Sequence, residues 1–233
     1  MKKIDGPFLA PKSGGKAQQL VIFLHGYGSN GDDLLSIGEE WAEHLPDAAF
    51  VSPNAPDPCD MNPAFGYQWF AIRAIDRAAM ERDKAIETVR PVLDGFIDEQ
   101  LRKWDIPENR LIVAGFSQGA MMALYCMPRR KKPCAGIIGY SGMLIDAHGL
   151  KGEGIVRMPV LAIHGERDEV VPPGMLEGIS DGFSSAKFDV ETIMRPQLAH
   201  SIDQFGLIRG LEFCRECFDI AEQNTAKKAQ VTP

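Results

Sequence analysis

Apolar positions along this chain fall into two alternating patterns. Short continuous runs occur at Leu20 to Leu24, Ala48 to Val51, Leu111 to Ala114, Ala135 to Tyr140 and Val160 to His164. Runs this short, without polar alternation, predict strands buried on both faces. Phe188 to Met194 predicts a further strand with some alternation. Between the runs lie segments whose apolar residues recur at helical spacing. The longest extends from Ala78 to Trp104 through Ile86, Val89, Leu93, Phe96, Ile97 and Leu101, and Pro91 inside it predicts a kink or break near Arg90. Helices are also predicted over Asp32 to Glu43, from Ala120 to about Met127, over Pro172 to Phe183, and over Ile202 to Ala221. Gln223 to Pro233 is polar and reads as a frayed tail. Asn54 to Tyr67, with Pro56, Pro58, Pro63 and Gly66 after Pro53, reads as a long loop, and such loops in compact domains tend to be functional.

Apolar strands alternating with amphipathic helices predict an α/β fold with a mainly parallel central sheet and helices on both faces. No internal repeat interrupts the pattern. The expected organisation is one domain over residues 1–233, with a core from about 18 to 222 and the polar tail from about 223 to 233. Sites in such sheets form at the carboxyl ends of the strands. His25, Ser117, Ser141, Asp168 and His200 all fall just past predicted strand ends.

One of those positions carries recognisable chemistry. Gly115-Phe116-Ser117-Gln118-Gly119 follows an apolar strand and precedes a helix, the context of a nucleophile turn in which strained backbone lifts the serine hydroxyl clear of the sheet. A serine hydroxyl is a poor nucleophile at neutral pH, so it needs a base and an acid to orient that base. Among the five histidines, His44 sits in an exposed helical stretch and His148 in a Gly-rich loop. His25, before glycine, suits a structural hydrogen bond, and His164 ends a strand beneath a loop. His200, after the last strand and before the last helix, is the candidate base. Asp168 is the candidate acid, ahead of Glu166 and Glu169, because its short side chain can be held rigidly by the turn before Val170-Val171-Pro172. The order Ser117, Asp168, His200 is that of α/β-hydrolases. The backbone N–H of Gln118 and that of Tyr27, in His25-Gly26-Tyr27-Gly28, are the candidate oxyanion donors. Gly26, Gly28 and Gly31 also match a dinucleotide fingerprint, but the next strand ends in Val51-Ser52-Pro53-Asn54 without the acidic residue that a ribose needs.

Composition narrows the partners. A net charge of −7, with no basic run longer than Arg129-Arg130-Lys131-Lys132, argues against nucleic acid. That short run reads as a solvated helix terminus. No apolar stretch is long enough to span a bilayer, and Met1-Lys2-Lys3-Ile4-Asp5-Gly6-Pro7 lacks the apolar region of a signal peptide, so no stable membrane insertion is expected. The five cysteines, Cys59, Cys126, Cys134, Cys214 and Cys217, suggest reduced thiols and a cytoplasmic location. Cys214 and Cys217 form a CxxC with no second pair, so no metal site is expected.

Phe23-Leu24-His25-Gly26-Tyr27-Gly28, Gln68-Trp69-Phe70, the Gly115 to Gly119 turn, Tyr140-Ser141-Gly142-Met143-Leu144, and His164-Gly165 with Asp168 and Val171-Pro172 together resemble the phospholipase/carboxylesterase family, from about Leu20 to Phe218. The resemblance implies a compact α/β-hydrolase without a large lid domain and without a cofactor. It implies the triad Ser117, Asp168 and His200, the donors Tyr27 and Gln118, and an acyl pocket near Trp69, Phe70, Met143 and Leu144. The expected activity is serine carboxylesterase on small to medium acyl esters. Lysophospholipase or acyl-protein thioesterase activity is the near alternative, and a non-catalytic ligand-binding protein on the same fold the remote one. Family members often have glycine shortly before the histidine, whereas this chain has Pro196-Gln197-Leu198-Ala199-His200, which predicts a stiffer loop. Apolar loop residues such as Met61 and Phe65, together with the resemblance, suggest a possible homodimer.

Overall fold

The computed structural model describes residues 2–61, 63–64, 66–71 and 79–231, without the side chains of 79–83 and 224–231. Its elements run β1 (Phe8–Leu9), β2 (Gln19–Leu24), α1 (Gly31–Trp41), β3 (Ala48–Val51), β4 (Asp57–Pro58), β5 (Tyr67–Gln68), α2 (Ala79–Trp104), β6 (Leu111–Phe116), α3 (Gln118–Cys126), β7 (Gly136–Tyr140), β8 (Val160–Gly165), α4 (Met175–Ser185), β9 (Val190–Arg195) and α5 (Gln204–Val231). Seven strands form one sheet in the order β1-β3-β2-β6-β7-β8-β9. All neighbours in it are parallel except the edge pair, where Phe8 and Leu9 run antiparallel to Val51 and Phe50. β4 and β5 form a separate two-stranded ribbon inside the long loop. Neither β1 nor the ribbon is legible in the hydrophobic pattern, because two residues are too few to show a period.

Alternation within the buried strands divides the core. Leu20, Ile22 and Leu24 join Val113, Ile137 and Ala162 under α2, α3 and α4. Val21 and Phe23 join Ile112, Ile138 and Leu161 under α1 and α5. Each apolar run therefore serves both faces at once, and fully burying a side chain of this size contributes roughly 1.5–3 kcal/mol. From β2 the chain moves outward to β3, then returns to β6 and proceeds the other way. The switch point thus lies between β2 and β6, where the outgoing loops part toward opposite faces and leave a crevice.

Three expectations are corrected. α2 runs through Pro91 without the break that was one of the two outcomes expected there. Pro91 and Glu87 are both exposed, so the carbonyl that loses its helical partner lies on the solvated face. The start expected at Ala78 lies outside the described residues. α5 continues to Val231 instead of fraying from Gln223; the added stretch holds good helix formers and no glycine or proline, and residues 232–233 lie outside the described residues. The basic run is not simply a solvated terminus. Arg130 is buried and bonds Asp94 at 3.0 Å, Asp98 at 2.6 Å and Glu108 at 3.0 Å, and Arg129 bonds Asp146 at 2.7 Å. Only Lys131 and Lys132 are exposed. Burial pushes the Asp94 carboxyl up despite the pull of Arg130.

All five cysteines are buried and free. Burial raises the thiols of Cys134 and Cys217 to about 12, which leaves them unreactive at neutral pH. No group of three or more His, Cys, Asp or Glu placed to hold a metal occurs among the described residues. Among those residues, too, no helix is long and apolar enough to cross a membrane. Met61 is exposed; Phe65 lies outside the described residues.

The Arg130 cluster ties α2 to the segment after α3. Arg130→Ala is expected to lower unfolding free energy by about 2–3 kcal/mol. That is less than the ~3–5 kcal/mol for breaking a fully buried pair, because Asp98 keeps half its side chain in water. Urea denaturation midpoints at constant slope measure it.

Candidate active site

β6 delivers Ser117 to the edge of the crevice. Its backbone sits at φ 53°, ψ −115°, a left-handed conformation that an L-residue adopts only when its surroundings enforce it. The enforcement is visible on both sides. Ser117 N–H donates to Tyr140 O at 2.9 Å, tying the turn to β7. The glycines around it have no room for a side chain. A Cβ on Gly119 would lie 1.9 Å from Leu24 O, and one on Gly115 would lie 2.3 Å from Gly119 O. The first turn of α3 therefore rests directly on the backbone of β2, and Gln118 stands at the first helical position, where backbone N–H groups have no intrahelical acceptor.

The β2–α1 loop meets this turn closely. A Cβ on Gly26 would lie 3.1 Å from the Phe116 ring and 3.4 Å from Ser117 Cβ. His25 is buried and holds the loop from within. Its Nε2 accepts Ala55 N–H at 3.0 Å, so the hydrogen is on Nδ1, which donates to Gly26 O at 2.7 Å. Burial holds its pKa below the ordinary histidine value, against the Gly26 hydrogen bond and the charge of Asp33. Gly28 N–H donates to Tyr67 O at 2.9 Å and Tyr67 N–H returns a bond to Ser29 O at 2.8 Å, which fastens the loop to β5. The Tyr27 hydroxyl donates to the Asp60 carboxylate.

Gln118 has a role the sequence did not reveal. Its side chain is buried and spans two backbone groups, accepting Trp69 N–H at 2.8 Å and donating to Phe70 O at 2.7 Å. Trp69 in turn donates its indole N–H to His25 O at 3.0 Å. Trp69 and Phe70 lie in the apolar core, so they brace the two loops from beneath.

His200 arrives on the β9–α5 loop. Its Nδ1 lies 2.7 Å from Asp168 Oδ2. Asp168 is buried, and its Oδ1 accepts Val170 N–H at 2.9 Å and Val171 N–H at 2.8 Å. Burial alone would raise this carboxyl, but the His200 bond and the two N–H donors outweigh it and hold it below the ordinary aspartate value. An ionised carboxylate only accepts, so Nδ1 of His200 carries the hydrogen and Nε2 keeps a free lone pair. The Phe116 ring supports the imidazole at 4.8 Å between centroids. Gly165 lets the histidine loop lie on β8, since a Cβ there would meet Ala199 O and Leu198 O at 2.4 Å. Gln197 sits at φ 64°, so the position carries left-handed backbone without glycine, and its N–H donates to Glu166 at 3.0 Å. Glu169 is exposed.

His164 does lie beneath the loop that follows it. Its Nε2 is 2.9 Å from Val171 O and 3.3 Å from Asp168 Oδ2. A carbonyl only accepts, so Nε2 bears the hydrogen, and the buried Nδ1 has no partner among the described residues. Ser141 is buried at the end of β7, and its hydroxyl too has no partner among the described residues.

Ser117, Gln118 and His200 open onto one cavity of about 400 Å³. Tyr27, Ser29 and Asp33 form one part of its wall, and Met121, Met143, Val170, Val171 and Pro172 form an apolar part. Of the four residues expected around an acyl group, only Met143 faces this cavity. Trp69 and Phe70 are buried away from it, and Leu144 packs against Gly182 on α4.

The chain matches the family model described as phospholipase/carboxylesterase over residues 9–218. It is 29% identical over 203 residues to the esterase YpfH of Escherichia coli K12, covering 85% of this chain and 83% of that protein. It is 32% identical over 160 residues to acyl-protein thioesterase 1 of Cryptococcus neoformans, covering 65% of this chain and 66% of that one. The crystal structure of esterase PE8 superposes with a TM-score of 0.87 at 39% identity, over 92% of this chain and 99% of that one. The Bacillus cereus carboxylesterase shares the fold, with a TM-score of 0.74 at 17% identity over 93% and 95% of the two chains.

The contact between Gly119 and Leu24 is backbone on backbone and has nowhere to yield. Gly119→Ala is expected to cost about 3 kcal/mol or more, the upper range for overpacking, read as loss of folded protein or a large fall in denaturation midpoint.

Proposed function

The chain belongs to the phospholipase/carboxylesterase family of carboxylic ester hydrolases, and we propose that within it the protein is a serine carboxylesterase for small to medium acyl esters. The observation that carries this reading is the pairing of a left-handed Ser117 with an Asp168-bound His200 on one cavity. In the proposed reaction His200 Nε2 takes the proton of Ser117 as its Oγ attacks the ester carbonyl. The oxyanion is met by the N–H groups of Gln118 and Tyr27. The alcohol leaves with the proton from His200, and water, deprotonated by the same nitrogen, releases the acid and restores Ser117. Asp168 holds the tautomer that makes Nε2 the base.

The size range rests on the cavity, which stands near the lower end of the ~300–1,000 Å³ usual for small-molecule sites. Met143 and the Val170-Val171-Pro172 stretch supply the acyl wall. The relatives that bear the name acyl-protein thioesterase favour thioester cleavage as a second reading, using the same groups. The free, buried thiols suit a cytoplasmic protein.

Ser117→Ala is expected to lower kcat on p-nitrophenyl butyrate by at least ~10⁴-fold while leaving the denaturation midpoint near that of the parent. A fluorophosphonate probe is expected to label Ser117 alone, located by peptide mass. Undiminished turnover in Ser117→Ala would sink the assignment, and ligand stabilisation without turnover in the parent would favour a binding protein. A steep rise in kcat/KM beyond about eight acyl carbons would favour lysophospholipase or long-chain thioesterase action.

A further inference from the structure

The sheet order sorts the walls of the cavity by chemistry. Ser117 stands at the end of β6, with β2 on one side and β7 and β8 on the other. The β7 and β8 loops contribute Met143, Val170, Val171 and Pro172, all apolar. The β2–α1 segment contributes Tyr27, Ser29 and Asp33. Asp33 is, apart from His200, the one ionisable acid or base that lines the cavity among the described residues other than the Tyr27 phenol, and no lysine or arginine does so. Its carboxylate is held in place, since the Ser29 hydroxyl donates to Oδ2 at 2.7 Å.

We propose that Asp33 is a specificity-determining residue that selects esters whose leaving alcohol or thiol is neutral or cationic and rejects those whose leaving group is anionic. The inference rests on the serine-esterase reading above. In this proposal the acyl chain is set against the apolar wall and the leaving group toward Ser29 and Asp33. A cation there is attracted by the carboxylate, and an anion is repelled, since among the described residues no lysine or arginine stands in that wall to offset it. This disfavours leaving alcohols of net negative charge and favours small neutral or ammonium-bearing ones. A charge pair several ångströms apart near a protein surface is worth a few-fold in an equilibrium, and salt screens it.

The test compares three butyryl esters of similar size: choline, its uncharged isostere 3,3-dimethylbutanol, and 3-hydroxypropanesulfonate. At low ionic strength kcat/KM is expected to favour choline over the isostere by about fivefold and the isostere over the sulfonate by about fivefold, each ratio shrinking toward one at 0.5 M salt. Asp33→Asn, which keeps an acceptor for Ser29, is expected to bring both ratios below about twofold, and Asp33→Glu to retain them. Asp32→Asn removes the same net charge outside the cavity and is expected to retain them as well. Equal rates for the three esters in the parent, or loss of the ratios in Asp32→Asn to the same extent as in Asp33→Asn, would overturn the proposal. Turnover of the neutral isostere that disappears in Ser117→Ala keeps the serine-esterase reading intact whatever the charged esters show; absence of all ester turnover would instead remove that reading.

Discussion

The contact of α3 with β2 sets the positions of everything else in the crevice. Gly119 has 1.9 Å between an added Cβ and Leu24 O, so the helix after Ser117 can rest on the neighbouring strand only as glycine. That contact forces the turn between β6 and α3 to be tight and places Ser117 in left-handed backbone. It also brings the β2–α1 loop against the turn, with Gly26 beside Phe116 and Ser117. A serine, a helix start and a second loop of backbone N–H groups thus converge because two backbones touch.

A second layer makes that convergence rigid. The Gln118 side chain grips Trp69 and Phe70, Trp69 grips His25, and His25 spans Ala55 and Gly26. These bonds are buried, so leaving any partner unpaired costs roughly 1–3 kcal/mol. On the far side, Asp168 is fixed by two backbone donors before it bonds His200, and His164 closes in at 3.3 Å. The site is therefore two braced halves with the cavity between them, one half polar and one apolar.

Much of this was legible. The parallel sheet, its strand sites and the helix faces followed from apolar runs and spacing, because a strand buried on both faces has no polar residue to disguise it. Ser117, Asp168 and His200 could be chosen because their residue types and chain order match those of a nucleophile, an acid and a base, and in the fold Asp168 and His200 do meet. Less was legible where a residue's role depends on what lies across from it. Trp69 and Phe70 look like pocket residues in a chain and are braces in the fold. Arg130 looks like a solvated cation and is buried among three carboxylates. Pro91 looks like a helix break and is carried on a solvated face of an unbroken helix.

The sequence by itself determined the alternation of strands and helices, the strand-to-helix serine turn and the types of group beside it, since these depend on local spacing and on residue chemistry. The tertiary structure decided which loop braces which, which walls the cavity has, and that Asp33 stands on one of them while Asp32 beside it does not. Those facts depend on strand order and on distances between segments far apart in the chain, and neither is encoded in the spacing of any one segment.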